Sequence, residues 1–420
     1  MKRLLAISWE MPPLSGPRAV QVTRTLQHLV PQGWASTVIC FGPKSTRYNQ
    51  DYRIEPDRTA GGAIELVRVP SPEEWLVVRA LWRVCPPIKR LPDEKRVWVH
   101  RAVAAGRSQL RRHRFDAVAS FAQPWSDHLV AEQLHREAGV PWVAHFSDPW
   151  VESPYAPGAA WQRRVWGRME QRVVREATRV VFQNRQTAAR TMNKYPTEWM
   201  RKVAVIPQGF EPEPSQGDGA SRPGGGPLRV VYTGRFYPGV RTPDTVLAAL
   251  DGLRRTQEFA GRLRVDFFGR PWRRYARRAC DLGLDQVVAF HGRVSPPEAQ
   301  AAARSADVLL VIDAPSRGPN LFLPSKLVDY LPLRKPILGV TPLEGASADL
   351  LRSLGYPIVD PNDVDGITRV FAELLDRWRR GALSPSPSHD EVARAYDIRE
   401  TTRRFAELLD SVAPGAAGAA

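Results

Sequence analysis

Residues 228–241 read LRVVYTGRFYPGVR, and residues 324–336 read PSKLVDYLPLRKP. In the first stretch an apolar run of β character stops at Gly234 and delivers Arg235 and Arg241, six positions apart. In the second, a Pro-Ser turn opens a helical segment that carries Ser325 and Lys326 at its start and Asp329 one turn in. Two fixed cations and a helix N-terminus suit a diphosphate. A carboxylate one turn further suits a ribose diol. Together the two stretches predict a nucleotide-sugar site.

Outward from them the chain alternates. Apolar strand signals at 4–8, 37–41, 64–69, 117–121, 142–145, 179–182 and 203–206 are separated by helical spacing at 18–30, 92–111, 126–138 and 161–176. Residues 211–227, EPEPSQGDGASRPGGGP, show no periodicity and read as a flexible linker. The pattern then restarts, with strands at 230–233, 264–268, 287–290, 307–312 and 337–340 and helices between and after them, the last over 390–409. Such alternation predicts an α/β fold of two Rossmann-like domains facing each other across a cleft. The expected boundaries are 1–208 for the first domain, 209–227 for the hinge and linker, and 228–388 for the second, with a C-terminal helix at 389–412 and a disordered tail at 413–420.

Composition narrows the function. The 420 residues carry 60 Lys and Arg against 44 Asp and Glu, a net charge of +16, so anionic partners are favoured. The three cysteines, Cys40, Cys85 and Cys280, are too dispersed for a disulfide framework or a zinc site, and a reducing cytoplasm fits. No cofactor and no metal is implied. The start, MKRLLAISWEMPP, breaks at Glu10 without a cleavage signal and reads as a buried strand. No run approaches the ~20 apolar residues that span a bilayer. Residues 79–114, however, carry 11 basic side chains against Asp93 and Glu94, with Trp75, Trp82 and Trp98 in or beside them. Cations mixed with aromatic anchors suit an anionic membrane surface, met from the cytoplasmic side.

Six segments in order resemble the GT-B glycosyltransferases of the family 4-like group: residues 7–29, 141–155, 180–212, 232–250, 290–312 and 323–351. The resemblance implies a transferase, retaining and metal-independent, moving a sugar from a nucleotide-sugar donor to a lipid-linked or other glycan acceptor, as in polysaccharide biosynthesis, with 1–208 as the acceptor domain, 228–388 as the nucleotide-sugar domain and the C-terminal helix packing back on the first. It implies that Arg235 and Arg241 hold the donor diphosphate, that Ser325 and Lys326 face its distal phosphate, and that Asp329 binds the ribose. Asp329 matches the second glutamate of the group's Glu-x7-Glu motif. The first falls at Leu321, with Asp313 or Arg317 as substitutes nearby. Gly16, in the loop after the first strand, keeps the backbone clear for the donor. On the acceptor side His128 and Asp148 are the candidates for positioning a hydroxyl or taking its proton.

Two further classes stay open. A GT-B nucleotide-sugar epimerase, or a non-catalytic nucleotide-sugar binder, shares the fold and pocket. A nucleic-acid binder would explain the charge, but no helix-turn-helix, zinc-finger or RNA-binding signature is present, so nucleic acid is not expected as a partner.

Overall fold

The computed structural model describes residues 1–42, 61–72, 91–153, 158–212, 226–256 and 261–414. The chain forms two compact units. One is residues 1–209 together with the segment from Ile398 onward, and the other is Phe210–Asp397.

In the first unit β1 (Lys2–Ile7), α1 (Pro17–Leu29), β2 (Trp34–Phe41), β3 (Ile64–Val69), α2 (Arg96–Arg112), β4 (Ala117–Ala122), α3 (Ser126–Ala138), β5 (Trp142–Phe146), α4 (Ala160–Glu176), β6 (Arg179–Phe182), α5 (Arg185–Met192) and β7 (Val203–Val205) follow in order. The strands make one parallel sheet in the order β3-β2-β1-β4-β5-β6-β7. Strands buried on both faces must be apolar throughout, and Leu4–Ile7 and all of β4 are buried. Two cores form, one on each face of the sheet.

The second unit repeats the plan. It contains β8 (Leu228–Thr233), α6 (Asp244–Thr256), β9 (Leu263–Phe268), α7 (Arg273–Asp281), β10 (Val288–Gly292), α8 (Pro296–Arg304), β11 (Val308–Ile312), α9 (Ser325–Tyr330), β12 (Ile337–Val340), α10 (Ala346–Ser353), β13 (Ile358–Val359), α11 (Val364–Arg379) and α12 (His389–Arg394). Its parallel order is β10-β9-β8-β11-β12-β13. Each sheet reverses its direction of growth beside its first strand, between β1 and β4 and between β8 and β11. Ligands of such sheets bind outside the carboxyl ends at that reversal.

The single helix expected over 390–409 is two. After α12 the amides of Ala395, Tyr396 and Asp397 each bond three residues back, a 3₁₀ tightening that ends the helix. The Tyr396 carbonyl then accepts from the Phe210 amide at 2.9 Å, which keeps this turn in the second unit. The last helix, α13 (Ile398–Asp410), starts immediately after and belongs to the first unit. It lies on α1. Asp410 accepts from Trp34 Nε1 at 3.0 Å and Lys2 Nζ at 2.7 Å, and Arg404 donates to the Val205 carbonyl at 2.6 Å.

Three helices or strands carried too weak a pattern to be read: α5, α10 and the two-residue β13. Most of the linker (213–225) and of the tail (415–420) lies outside the described residues, as do 73–90, with Arg79, Arg83, Lys89, Arg90, Trp75 and Trp82. Trp98, expected beside the membrane, is instead fully buried in the first core, where its indole donates to the Val69 carbonyl at 3.2 Å. Among the described residues no helix is long and apolar enough to cross a membrane.

Phe405 of α13 is 2% exposed and lies 5.9 Å from Phe121 on β4. Phe405→Ala should therefore cost the first unit about 3 kcal/mol, the usual penalty for a large cavity. Urea denaturation measures it; an unchanged midpoint would show that α13 is not part of this core.

Candidate functional site

At the carboxyl end of β8 the chain must pass Lys326. Gly234 sits there at φ 144°, and a Cβ on it would lie 2.5 Å from the Lys326 ammonium. Phe236 then turns inward and stacks on Tyr232 at 4.9 Å. Tyr237 and Arg241 close a tight turn with two backbone bonds of 2.8 Å around Gly239. This turn converts the six-residue spacing of the two arginines into proximity. The Arg235 and Arg241 guanidinium carbons lie 5.2 and 5.1 Å from the Tyr237 ring centroid, and Arg241 Nη2 donates to the Arg235 carbonyl at 2.9 Å. Like charges held this close, one exposed and one half-buried, favour an anion between them.

Lys326 completes it. Its Nζ is out of contact with solvent, has no hydrogen-bond acceptor among the described residues, and stands 3.7 Å from the Tyr232 ring centroid. Burial pushes its pKa well down. Arg241 adds to that, and Asp313 opposes it. A buried ammonium without an acceptor is costly, and such a group calls for a ligand. Asp313, at the carboxyl end of β11, is 4% exposed, and its Oδ2 accepts from Asn320 Nδ2 at 3.1 Å and Thr341 Oγ1 at 3.0 Å. Of the two substitutes considered for the missing glutamate, Asp313 thus lies beside Lys326, while Arg317 is on the exposed part of the loop. Leu321 is half-buried further along that loop.

Helix α9 has six residues. Ser325 opens it half-buried, and Asp329 is exposed. The Tyr330 hydroxyl accepts from the Thr233 amide at 2.9 Å and also bonds the Thr233 hydroxyl at 2.9 Å, which fixes the helix to the end of β8. The structure therefore brings Arg235, Arg241, Lys326 and the α9 residues to one strand end. Sequence reasoning passed over Tyr232 and Tyr330. The signal was there, in tyrosines placed where the apolar pattern alone needed no hydroxyl.

The first unit has a different character. Gly16 caps α1 at φ −70°, and a Cβ there would strike the Glu10 carboxylate, so Glu10 is what this glycine makes room for. Arg18, 8% exposed, reaches His145 Nδ1 at 2.9 Å, and burial brings its pKa down to about 10 against the pull of Asp148, Asp127 and Glu10. Burial raises all three of those carboxyls. Asp127 is fully buried, with Oδ2 accepting from the Trp9 amide at 3.0 Å. Asp148 is half-buried, and its Oδ2 accepts from Gln123 Nε2 at 3.1 Å and Ser147 Oγ at 2.9 Å. Arg18, Glu10 and Asp127 were not anticipated, since no motif marks them.

His128 does not share this rim. It is fully buried among Trp125, Trp142, Phe146 and Trp150, and its Nδ1 meets Ser120 Oγ at 2.7 Å. The Ser120 oxygen also accepts from Trp142 Nε1 at 2.8 Å. Burial, with Arg18 adding, pushes the imidazole down to about 3. The expectation that it handles an acceptor proton does not fit this aromatic cage. Among the described residues no group of three His, Cys, Asp or Glu could hold a metal ion.

Residues 18–209 match the glycosyl transferase 4-like domain family. No curated protein matches the sequence. Among solved structures, a sucrose-phosphate synthase from Thermosynechococcus elongatus aligns with a TM-score of 0.66 at 16% identity, over 98% of this chain and 99% of that one. WaaG, a glycosyltransferase involved in lipopolysaccharide biosynthesis, aligns with a TM-score of 0.60 at 14% identity, over 98% and 100%. A variant of S. aureus TarM in complex with fondaparinux, α-GlcNAc-glycerol and UDP aligns with a TM-score of 0.64 at 9% identity, over 98% and 100%. These likenesses establish the GT-B fold with its two Rossmann-like domains.

A histidine held down to about 3 in the fold takes up its proton at about 6.5 once unfolded. Below about 6.5 the unfolded chain then binds the extra proton, so stability falls with pH from there to about 3. In NMR titration the His128 ring signals should stay fixed between pH 7.5 and 5. A midpoint inside that range would place His128 in contact with solvent.

Proposed function

We propose that this chain, whose residues 18–209 match the glycosyl transferase 4-like domain family and whose fold is that of the GT-B proteins, is a transferase that moves a sugar from a nucleoside-diphosphate sugar to a glycan or lipid-linked acceptor, with retention of configuration. The observation that carries the reading is the buried Lys326 ammonium without an acceptor, at the β8 strand end beside Arg235 and Arg241. When the glycosidic bond to the diphosphate breaks, negative charge grows on the leaving phosphate. Three cations already in place stabilise that charge without rearranging, so the leaving group needs no metal. Asp329 takes the ribose, and Ser325 lies at the distal phosphate. In the first unit Asp148 orients the acceptor hydroxyl, its raised carboxyl suited to sharing a proton. Gly16 serves by admitting Glu10.

The donor assignment is supported by the UDP in the TarM complex and by the UDP-2-fluoroglucose that the trehalose-6-phosphate protein of E. coli binds. The fondaparinux and GlcNAc-glycerol of the TarM complex support a glycan acceptor. The deciding experiment offers a panel of nucleotide-sugars with and without glycan acceptors and follows free nucleoside diphosphate. Acceptor-dependent release supports the transferase. Epimerised donor without release would make it an epimerase, and binding without either would make it a binder.

In that assay Arg235→Ala should lower kcat/KM at least about tenfold, since a charge-assisted hydrogen bond contributes roughly 1.5–3 kcal/mol. Wild-type kinetics in both Arg235→Ala and Arg241→Ala would show the donor to lie elsewhere. Turnover should survive EDTA; loss restored by Mg²⁺ would overturn the metal-free departure.

We also propose a cytoplasmic protein that meets an anionic membrane surface through its first unit. Arg96, Arg111, Arg112 and Arg114 are exposed along and beyond α2. Each such charge near an anionic surface contributes about 1 kcal/mol. Vesicles of anionic but not neutral lipid should sediment the protein at low salt. Equal recovery with both would remove the membrane from the proposal.

A further inference from the structure

The Lys326 side chain is held in an unusual way. It is a flexible stem ending in three donors, and left alone it would swing to water or to the nearest carboxylate. The nearest carboxylate is Asp313, and one of its oxygens is already taken by Asn320 and Thr341. Gly234 leaves open the space beside the ammonium. What the ammonium meets is the Tyr232 ring, at 3.7 Å. That ring cannot move aside. It is fully buried, stacked on Phe236 at 4.9 Å and set against Phe267 at 5.9 Å, with its hydroxyl donating to the Arg235 carbonyl at 3.4 Å.

We propose that Tyr232 is a positioning residue of the donor site, whose ring holds the Lys326 ammonium in place while leaving all three of its N–H groups for the incoming diphosphate. The inference rests on the donor-site reading above. A carboxylate holding the lysine would have to be displaced by each substrate. An aromatic face attracts the charge but accepts no strong hydrogen bond, so nothing is broken when phosphate oxygens arrive.

The test replaces Tyr232 by Phe and then by mono-, di- and trifluorinated phenylalanine, which drain the ring face of electron density with little change of shape. Calorimetric titration with pyrophosphate, which commits to no base, and with UDP, GDP and ADP reads the result. Tyr232→Phe should bind like wild type, and affinity should fall stepwise, about tenfold by the trifluorinated ring. In a Lys326→Met background the same series should be flat. The pH profile is a second reading. Arg241 from the turn, Asp313 at the end of β11 and Tyr232 from β8 face the ammonium. Binding needs the charged amine, so it is lost as pH rises through the lowered lysine value, and fluorination should bring that loss to lower pH. Mere loss of packing would weaken binding equally at every pH. A flat series on the Lys326 background with binding intact overturns the role of the ring alone. Failure of the wild type to bind pyrophosphate or any of the nucleotides overturns the donor-site reading, and this inference with it.

Discussion

The proposed nucleotide site depends on a close approach of backbone at Gly234. Three parallel strands finish side by side, two followed by and one ending in a glycine with positive φ: Gly234 at 144°, Gly269 at 148° and Gly292 at 71°. They touch in sequence. The Gly234 amide donates to the Phe268 carbonyl at 2.8 Å, the Gly269 amide to the Gly292 carbonyl at 2.6 Å, and any Cβ on Gly269 would collide with the Gly234 carbonyl. A residue with a side chain would need both the strained conformation and space that neighbouring backbone fills. The result is a rim of bare peptide at the carboxyl ends of β8, β9 and β10, with Lys326 resting against its first member. Because that rim is rigid, the cations around it keep their places without a ligand.

Rigidity of this kind comes from the sheets behind it. β8 is central in its sheet and buried on both faces, so the position of Gly234 is fixed by cores on two sides. The loop carrying Asn320 is tied down separately. Asn320 donates its amide to Glu344 and accepts from Ala346 at 2.9 and 2.8 Å, across Gly345 at φ 119°. Asp313 is therefore held by a side chain that is itself held by backbone. In the first unit the equivalent stiffening falls to α13, which the chain returns from the far end of the sequence to close one face of the sheet.

Fold and site were unequally legible. The strands of both sheets stood out because a parallel strand buried on two faces must be a continuous apolar run, and β4, β8 and β11 are such runs. Helix α5 was missed because eight residues with Arg185, Gln186 and Arg190 show little periodicity; its start is set instead by Asn184, whose side chain accepts from the Thr187 amide at 2.7 Å. The break between α12 and α13 was invisible because its cause, the Phe210 amide, lies almost 190 positions away along the chain. In the site, Arg235, Arg241 and Lys326 were readable since each lies next to a strand or helix end. The partners that set their chemistry were not. Tyr232, and in the first unit Arg18, act through burial and through contacts across the fold, and a sequence records neither. His128 misled for the same reason: its neighbours in sequence are a helix start, but its neighbours in space are four aromatic rings.

The two units differ in which charge they leave uncompensated, and that difference carries the division of labour. Beside β8 the Lys326 ammonium has near it Arg241 and Asp313, a carboxylate already bonded to two neutral donors, and burial works against the charge. The cheapest relief is an anion from outside, since an arriving diphosphate supplies both the charge and the acceptors that the lysine lacks. Beside β1 and β4 the imbalance is reversed. Arg18 stands among Glu10, Asp127 and Asp148, and burial raises all three carboxyls above their ordinary values. Relief there comes from protons rather than anions, which suits carboxyl groups to sharing a proton with a hydroxyl. A donor rich in negative charge and an acceptor rich in hydroxyls would sort themselves accordingly, the first to the strand end at Gly234 and the second to the loop that carries Asp148.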